Sequence, residues 1–234
     1  MLTPPIAFGF DFDHTLGVDN GLERKALEAY AAELGRPQDP HDDAGRKRFE
    51  AILAGFRGGN TSMNQMIAQF AAAVGVKTTT AHTERWQQHC YDLVDELVRP
   101  LDGARDLLAE LRARAIPVAI LTNGWTPLQQ KKIARALGDA ALAMPILVSD
   151  AIGAVKPERA AFDALVVALA VPRERVWYVG DNARGDVAGA LGAGLRAVWF
   201  NWENQSYPQD LPTPTLIITA LRELTKLAEN TIAP

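Results

Sequence analysis

Short apolar runs recur along the chain at residues 6–12, 116–121, 146–148, 176–179, 197–200 and 215–218. They are rich in β-branched or aromatic residues and end at Gly, Asn, Asp or Ser, a pattern that predicts buried parallel strands. Downstream of Ile116 these runs alternate with helical patterns. One spans 128–137. Another spans 158–169, with Phe162, Leu165, Val166 and Leu169 at helical spacing, and a third runs from Asp186 to Ala193, before a C-cap at Gly194. This alternation predicts the α/β class: a doubly wound, Rossmann-like parallel sheet in a three-layer αβα core.

Residues 18–99 break the alternation and predict four helices. Phe49, Ile52, Leu53 and Phe56 form one apolar stripe, Met63, Met66, Ile67, Phe70 and Val74 a second, and Trp86, Cys90, Leu93 and Leu97 a third. Gly- and Pro-containing breaks at 35–40, 58–59 and 75–76 separate the helices. The expected organisation is an α/β core of residues 1–17 and 100–234 with an all-helical insertion of residues 18–99.

Composition narrows the class only a little. The 234 residues are 48% hydrophobic and 22% charged, with a net charge of −4. That content excludes wholesale disorder and argues against a nucleic-acid polymer as partner. The single cysteine, Cys90, excludes an internal disulfide framework and a Cys-rich zinc site. No stretch reads as a targeting or membrane segment. The expectation is a cytoplasmic protein, monomeric or homodimeric, with no membrane partner.

The chemistry-bearing residues cluster where predicted strands end. Asp11 and Asp13 close the first strand, and a two-residue period points both side chains to one site. Two carboxylates so close repel unless a cation is near, although strand-end caps would account for them too. Gly180-Asp181-Asn182 and Asp186 follow the strand at 176–179. Their carboxylates suit Mg²⁺, and helix capping is the bland alternative. Thr122-Asn123-Gly124 ends another strand and offers donors for a phosphate, or simply a polar turn. Lys156-Pro157 precedes a helix, where Lys156 could neutralise an anion.

In that order these motifs resemble the haloacid dehalogenase superfamily of hydrolases. Asp11-Phe12-Asp13-His14-Thr15 is similar to its first motif, Asp-x-Asp-x-Thr. Thr122 fits the second motif, Lys156 the third, and Asp181 with Asp186 the Gly-Asp-x4-Asp form of the fourth. The segment Leu121-Thr122-Asn123-Gly124-Trp125-Thr126-Pro127-Leu128-Gln129-Gln130-Lys131 resembles the branch of pyrimidine nucleotidases and acylneuraminate 9-phosphate phosphatases. The insertion looks like the family's C1-type cap. One departure is His14, where many members carry Gly.

The resemblance implies a Mg²⁺-dependent phosphatase acting on a small soluble phosphomonoester. A nucleoside monophosphate is favoured, and a sugar or sugar-acid phosphate comes next. Asp11 would be the nucleophile and Asp13 the general acid and base. The metal would be held by Asp11, the main-chain carbonyl of Asp13, and Asp181, with Asp186 acting less directly. Thr122, the backbone near Asn123, and Lys156 would hold the phosphoryl oxygens. His14 and Trp125 are candidate substrate contacts. A phosphomutase remains an alternative on the motifs. A dehalogenase or phosphonatase fits less well, because both typically lack the carboxylate that Asp13 supplies. A non-catalytic phosphate-binding protein on the same fold is the alternative from another class. A dinucleotide-binding oxidoreductase is disfavoured, because no Gly-x-Gly-x-x-Gly follows the first strand.

Other polar residues have bland readings. His82 and His89 lie seven apart on one predicted helix, too far for a shared ion, and packing explains them better. Residues 58–62 are either a substrate loop or a helix break with a Ser or Thr N-cap. Arg46, Lys47 and Arg48 read as a solvated helix face, and Trp199 and Trp202 as packing at the sheet edge.

Overall fold

In a computed structural model, residues 6–39, 41–57, 60–79, 81–141 and 144–232 are described. The strands are β1 (Ala7–Phe10), β2 (Gly17–Val18), β3 (Arg99–Pro100), β4 (Val118–Thr122), β5 (Ile146–Val148), β6 (Val176–Gly180), β7 (Arg196–Phe200) and β8 (Leu216–Ile218). The helices are α1 (Leu22–Glu33), α2 (Asp43–Arg57), α3 (Met63–Ala73), α4 (Ala81–Leu97), α5 (Ala104–Ala113), α6 (Leu128–Leu137), α7 (Ser149–Ile152), α8 (Arg159–Leu169), α9 (Gly189–Gly192) and α10 (Glu223–Ile232). The chain divides into two compact units, Met1–Val18 with Arg99–Pro234, and Asp19–Val98.

The first unit holds a six-stranded sheet in the order β5-β4-β1-β6-β7-β8, with every pairing parallel. β1 and β6 are buried at every residue, as strands covered on both faces must be. Residues Ala7, Leu121, Tyr178 and Trp199 of the strands pack with Phe162 and Leu165 of α8 in one apolar cluster. The chain leaves β1, β4, β5 and β6 at their carboxyl ends, and there the polar motifs collect.

Several boundaries differ from the sequence pattern. β1 stops at Phe10, short of the predicted Phe12. The Phe12 carbonyl accepts from the backbone N–H groups of Thr15, Leu16 and Gly17, so the chain turns where an extended strand was expected. The predicted helix at 186–193 is a π-helical turn, Ala183–Ala188, followed by the short α9. Asn182 caps it by accepting from the Arg184 and Gly185 N–H groups. α8 starts at Arg159, one residue after the predicted 158, with Glu158 at the N-cap. The ladder of β2 with β3 and the amphipathic α5 were not anticipated.

The second unit, Asp19–Val98, contains α1 to α4. Phe49, Leu53, Met66, Ile67, Phe70, Trp86 and Cys90 are buried, and Val94 takes the place predicted for Leu93. His82 is a core residue: its Nδ1 pairs with the Tyr30 hydroxyl and its Nε2 lies 3.0 Å from the Lys77 carbonyl. His89 pairs with Glu33 at 2.8 Å. Gly58 and Gly59 of the expected loop, and Pro40, lie outside the described residues. Ser62 closes that segment as the N-cap of α3, in a reciprocal capping box with Gln65. Arg46, Lys47 and Arg48 are exposed. No helix among the described residues is long and apolar enough to cross a membrane.

Candidate active site

The loop after β1 begins at Asp11, whose N–H still donates to the Val179 carbonyl at 2.9 Å. Its Oδ1 accepts from Lys156 Nζ at 2.7 Å. The same ammonium donates to Asp186 Oδ1 at 2.6 Å and to the Tyr178 hydroxyl at 3.0 Å. Tyr178 in turn donates to the Leu121 carbonyl at 2.8 Å. Burial opposes the charge on Lys156, but Asp11 and Asp186 outweigh it and hold the ammonium well above its ordinary range.

Asp13 has partners of its own, although its charge is among those that raise Asp11. Asp13 Oδ2 accepts from Gln129 Nε2 at 2.9 Å, and its Oδ1 lies 2.5 Å from Lys132 Nζ. Each carboxylate therefore has its own lysine. His14 adopts a left-handed φ of 59°. Its exposed ring stacks on Trp202 with centroids 6.3 Å apart.

Thr15 is fully buried and anchors the loop after β6: its hydroxyl accepts from the Asp181 N–H at 3.1 Å. The Asp181 carbonyl accepts from Trp199 Nε1 at 2.8 Å. Trp199 is thus a mooring on the inner strand β7, where edge packing was expected. Asp186 Oδ2 accepts from the Asn182 N–H at 3.0 Å. Gly180 leaves room for Asp186, since an added Cβ would stand 2.3 Å from Asp186 Cγ.

Asp11, Asp181 and Asp186 each present one carboxylate oxygen within 4.8 Å of the others. Burial first, then its acidic neighbours, pushes Asp181 up to about 8. Burial likewise pushes Asp11 up to about 7, against the pull of Lys156. One ammonium facing three desolvated carboxylates leaves the cluster short of positive charge. Hard oxygen donors short of a cation are what Mg²⁺ requires, so the residues present fit that ion. Asp186 has both oxygens engaged by protein donors, which leaves Asp11 and Asp181 the more available pair.

The loop after β4 supplies the opposite wall. Thr122 is 1% exposed, and its hydroxyl accepts from Gln129 Nε2 at 2.9 Å. The Asn123 side chain is spent on structure: it accepts from the Lys156 N–H at 2.8 Å and donates to the Lys156 carbonyl at 3.0 Å. That pairing locks the second and third motifs together. Gly124 donates to Ser149 Oγ at 3.0 Å, and Asp150 accepts from the Thr126 N–H at 2.8 Å, so α7 pins this loop. Trp125 is 8% exposed, a core position rather than an open stacking surface.

Tyr178, Gln129, Lys132 and Ser149 line the site without having been assigned a role in it. One signal was available for two of them. Gln129 and Lys132 fall on the stripe of α6 that carries Leu128, Ile133, Ala136 and Leu137, where polar residues are out of pattern.

Residues 7–194 match the family model for haloacid dehalogenase-like hydrolases. The pyrimidine 5′-nucleotidase YjjG of Escherichia coli is 36% identical over 133 residues, covering 56% of this chain and 58% of that protein. The phosphoserine phosphatase of Thermus thermophilus is 38% identical over 122 residues, covering 52% of this chain and 48% of that protein. The matched region thus spans about half the length of these relatives. Among solved structures, the magnesium-bound HAD-hydrolase YfnB of Bacillus subtilis superposes with a TM-score of 0.77 at 21% identity, covering 97% of this chain and 99% of that one. At that identity the likeness speaks for the fold alone.

Proposed function

The chain belongs to the haloacid dehalogenase-like hydrolases, and we propose that within them it is a Mg²⁺-dependent phosphatase of small phosphomonoesters. The observation that carries this reading is the array in which Lys156 meets Asp11 and Asp186, with Asp11, Asp181 and Asp186 grouped at the carboxyl ends of β1 and β6. A nucleoside monophosphate is the first candidate substrate, in keeping with the activity named for the Escherichia coli relative. Sugar and sugar-acid phosphates come next. On this reading the helical unit Asp19–Val98 is the family's C1-type cap.

An Asp11 carboxylate oxygen attacks phosphorus, forming the oxygen–phosphorus bond of an acyl phosphate as the bond to the leaving oxygen breaks. Asp13 gives its proton to that oxygen, so the product leaves as an alcohol. Asp13 then takes a proton from water, the water oxygen attacks phosphorus, and inorganic phosphate departs with Asp11 restored. Lys156 and the Thr122 hydroxyl bind phosphoryl oxygens, and Asn123 holds the Lys156 backbone in place. Asp11 and Asp181 would hold Mg²⁺, with Asp186 behind them; when bound, the ion neutralises charge building on the phosphoryl group.

The test is Mg²⁺-dependent phosphate release from a panel of nucleotides and sugar phosphates, with Asp11→Asn as control. The expected result is turnover that a chelator abolishes and that the variant lacks while keeping its fold. Full activity in Asp11→Asn, or no ester turned over, rejects the reading.

A further inference from the structure

Both oxygens of Asp13 are gripped from a single helix. Gln129 Nε2 stands 2.9 Å from Oδ2, and Lys132 Nζ stands 2.5 Å from Oδ1. The two donors are three residues apart on α6 and therefore share a face. The Gln129 amide also lies 2.9 Å from Thr122 Oγ1 and 3.0 Å from the Asn123 carbonyl. One side chain thus spans the loops after β1 and β4.

This arrangement is more than packing requires. Gln129 and Lys132 are 2% and 4% exposed. A buried ammonium costs several kcal/mol unless it is paired, whereas an apolar residue on that stripe would pack without such a cost. The backbone has also kept room for the amide. Gly124 has a φ of 149°, and a Cβ there would meet Gln129 Cγ at 2.7 Å. Asp13 itself keeps 30% of its side chain exposed. Part of the side chain thus remains accessible, while Gln129 donates to Oδ2 and Lys132 is ion-paired with the buried Oδ1.

We propose that Gln129 and Lys132 are positioning residues: they hold the Asp13 carboxyl in the orientation that delivers its proton to the leaving oxygen, in register with Thr122. The proposal rests on the reading of Asp13 as the acid–base group. The proton moves from the Asp13 oxygen to the leaving oxygen as the phosphorus–oxygen bond breaks and the bond to Asp11 forms. An ester whose leaving group is already a stable anion does not need that proton. Misplacing Asp13 should then harm poor leaving groups selectively.

The experiment compares kcat/KM for a nucleoside 5′-monophosphate, which has a poor leaving group, and 2,4-dinitrophenyl phosphate, which has a good one. Because kcat/KM reports the steps through departure of the alcohol, later hydrolysis of the phosphorylated Asp11 does not blur it. Gln129→Met and Lys132→Met are tested separately and checked for fold by circular dichroism, and whichever folds decides. The expected result is a loss of about 10- to 100-fold on the nucleotide, a fraction of the usual acid–base contribution, and less than about threefold on the aryl ester. Asp13→Asn should show the same split, only larger. Parallel losses on both esters, or no loss on either, overturn the proposal while leaving the phosphatase reading standing. Absence of the split in Asp13→Asn removes the acid role and the proposal with it. A wild-type protein silent on both esters overturns the phosphatase reading itself.

Discussion

The side chain of Asp186 occupies the space that a Cβ on Gly180 would need: the two would stand 2.3 Å apart. The contact fixes how closely the turn after β6 folds back on its own strand, and so where Asp186 meets Lys156. Gly180→Ala must push that turn outward. Overpacking of this kind costs about 1–3 kcal/mol in stability. Displacing Asp186 and Lys156 by about an ångström should also lower kcat by about 10²-fold. Thermal melts and phosphate-release rates on the variant measure the two effects.

Tyr178 is the uncharged member of the Lys156 cluster, bonded to the ammonium and to the Leu121 carbonyl. Tyr178→Phe removes both bonds and preserves the ring that packs edge-on against Phe162. The expected cost is about 1–3 kcal/mol, the range for a buried partner left unsatisfied. Lys156 loses one of the anchors that aim it, and turnover should fall about tenfold with little change in KM. A chemical denaturation curve and a Michaelis plot check this pair of outcomes.

The carboxylate cluster gives the metal-free protein a distinctive pH response. Asp11 and Asp181 are pushed up to about 7 and about 8, chiefly by burial. Unfolded aspartates titrate near ~3.9. The folded state therefore binds more protons between these values, and stability falls as pH rises. The contribution is fully present below the unfolded value and is lost as pH passes through the folded ones. In chelator, the melting temperature should decline from pH 5 to pH 8. Saturating Mg²⁺ at pH 8 should restore about 2.7 kcal/mol at a hundredfold excess over Kd. A melting temperature in chelator that rises over this range refutes the assignment of the cluster.

In the helical unit, His82 Nδ1 pairs with the Tyr30 hydroxyl, and His82 Nε2 donates to the Lys77 carbonyl. Tyr30→Phe leaves Nδ1 without its partner and should cost about 1–3 kcal/mol. Equilibrium unfolding is the measurement, and a variant as stable as the wild type would show that the bond is worth nothing net.

Local pattern carried the α/β class a long way. Runs such as 176–179 needed no knowledge of their neighbours, because a strand buried on both faces is apolar throughout. The stripes of α3 and α8 followed from helical period alone. The Asp11, Thr122 and Asp181 motifs were legible too, because each stands at the carboxyl end of an apolar strand. The two-residue period did not show that the chain folds around the Phe12 carbonyl or that Asp11 and Asp13 pair with different lysines.

By itself, then, the sequence determined the alternation of strands and helices, the helical insertion after the first strand, and which residues could do chemistry. Only the tertiary structure decided their pairings. Asp11 and Lys156 are 145 positions apart, and Asp13 and Gln129 are 116 apart. The physical reason is that periodicity records burial, which each residue satisfies individually. A hydrogen bond or ion pair between distant residues needs two backbones brought within about 3 Å at a set angle. That geometry arises from how β1, β4 and β6 lie side by side, and no local spacing encodes it.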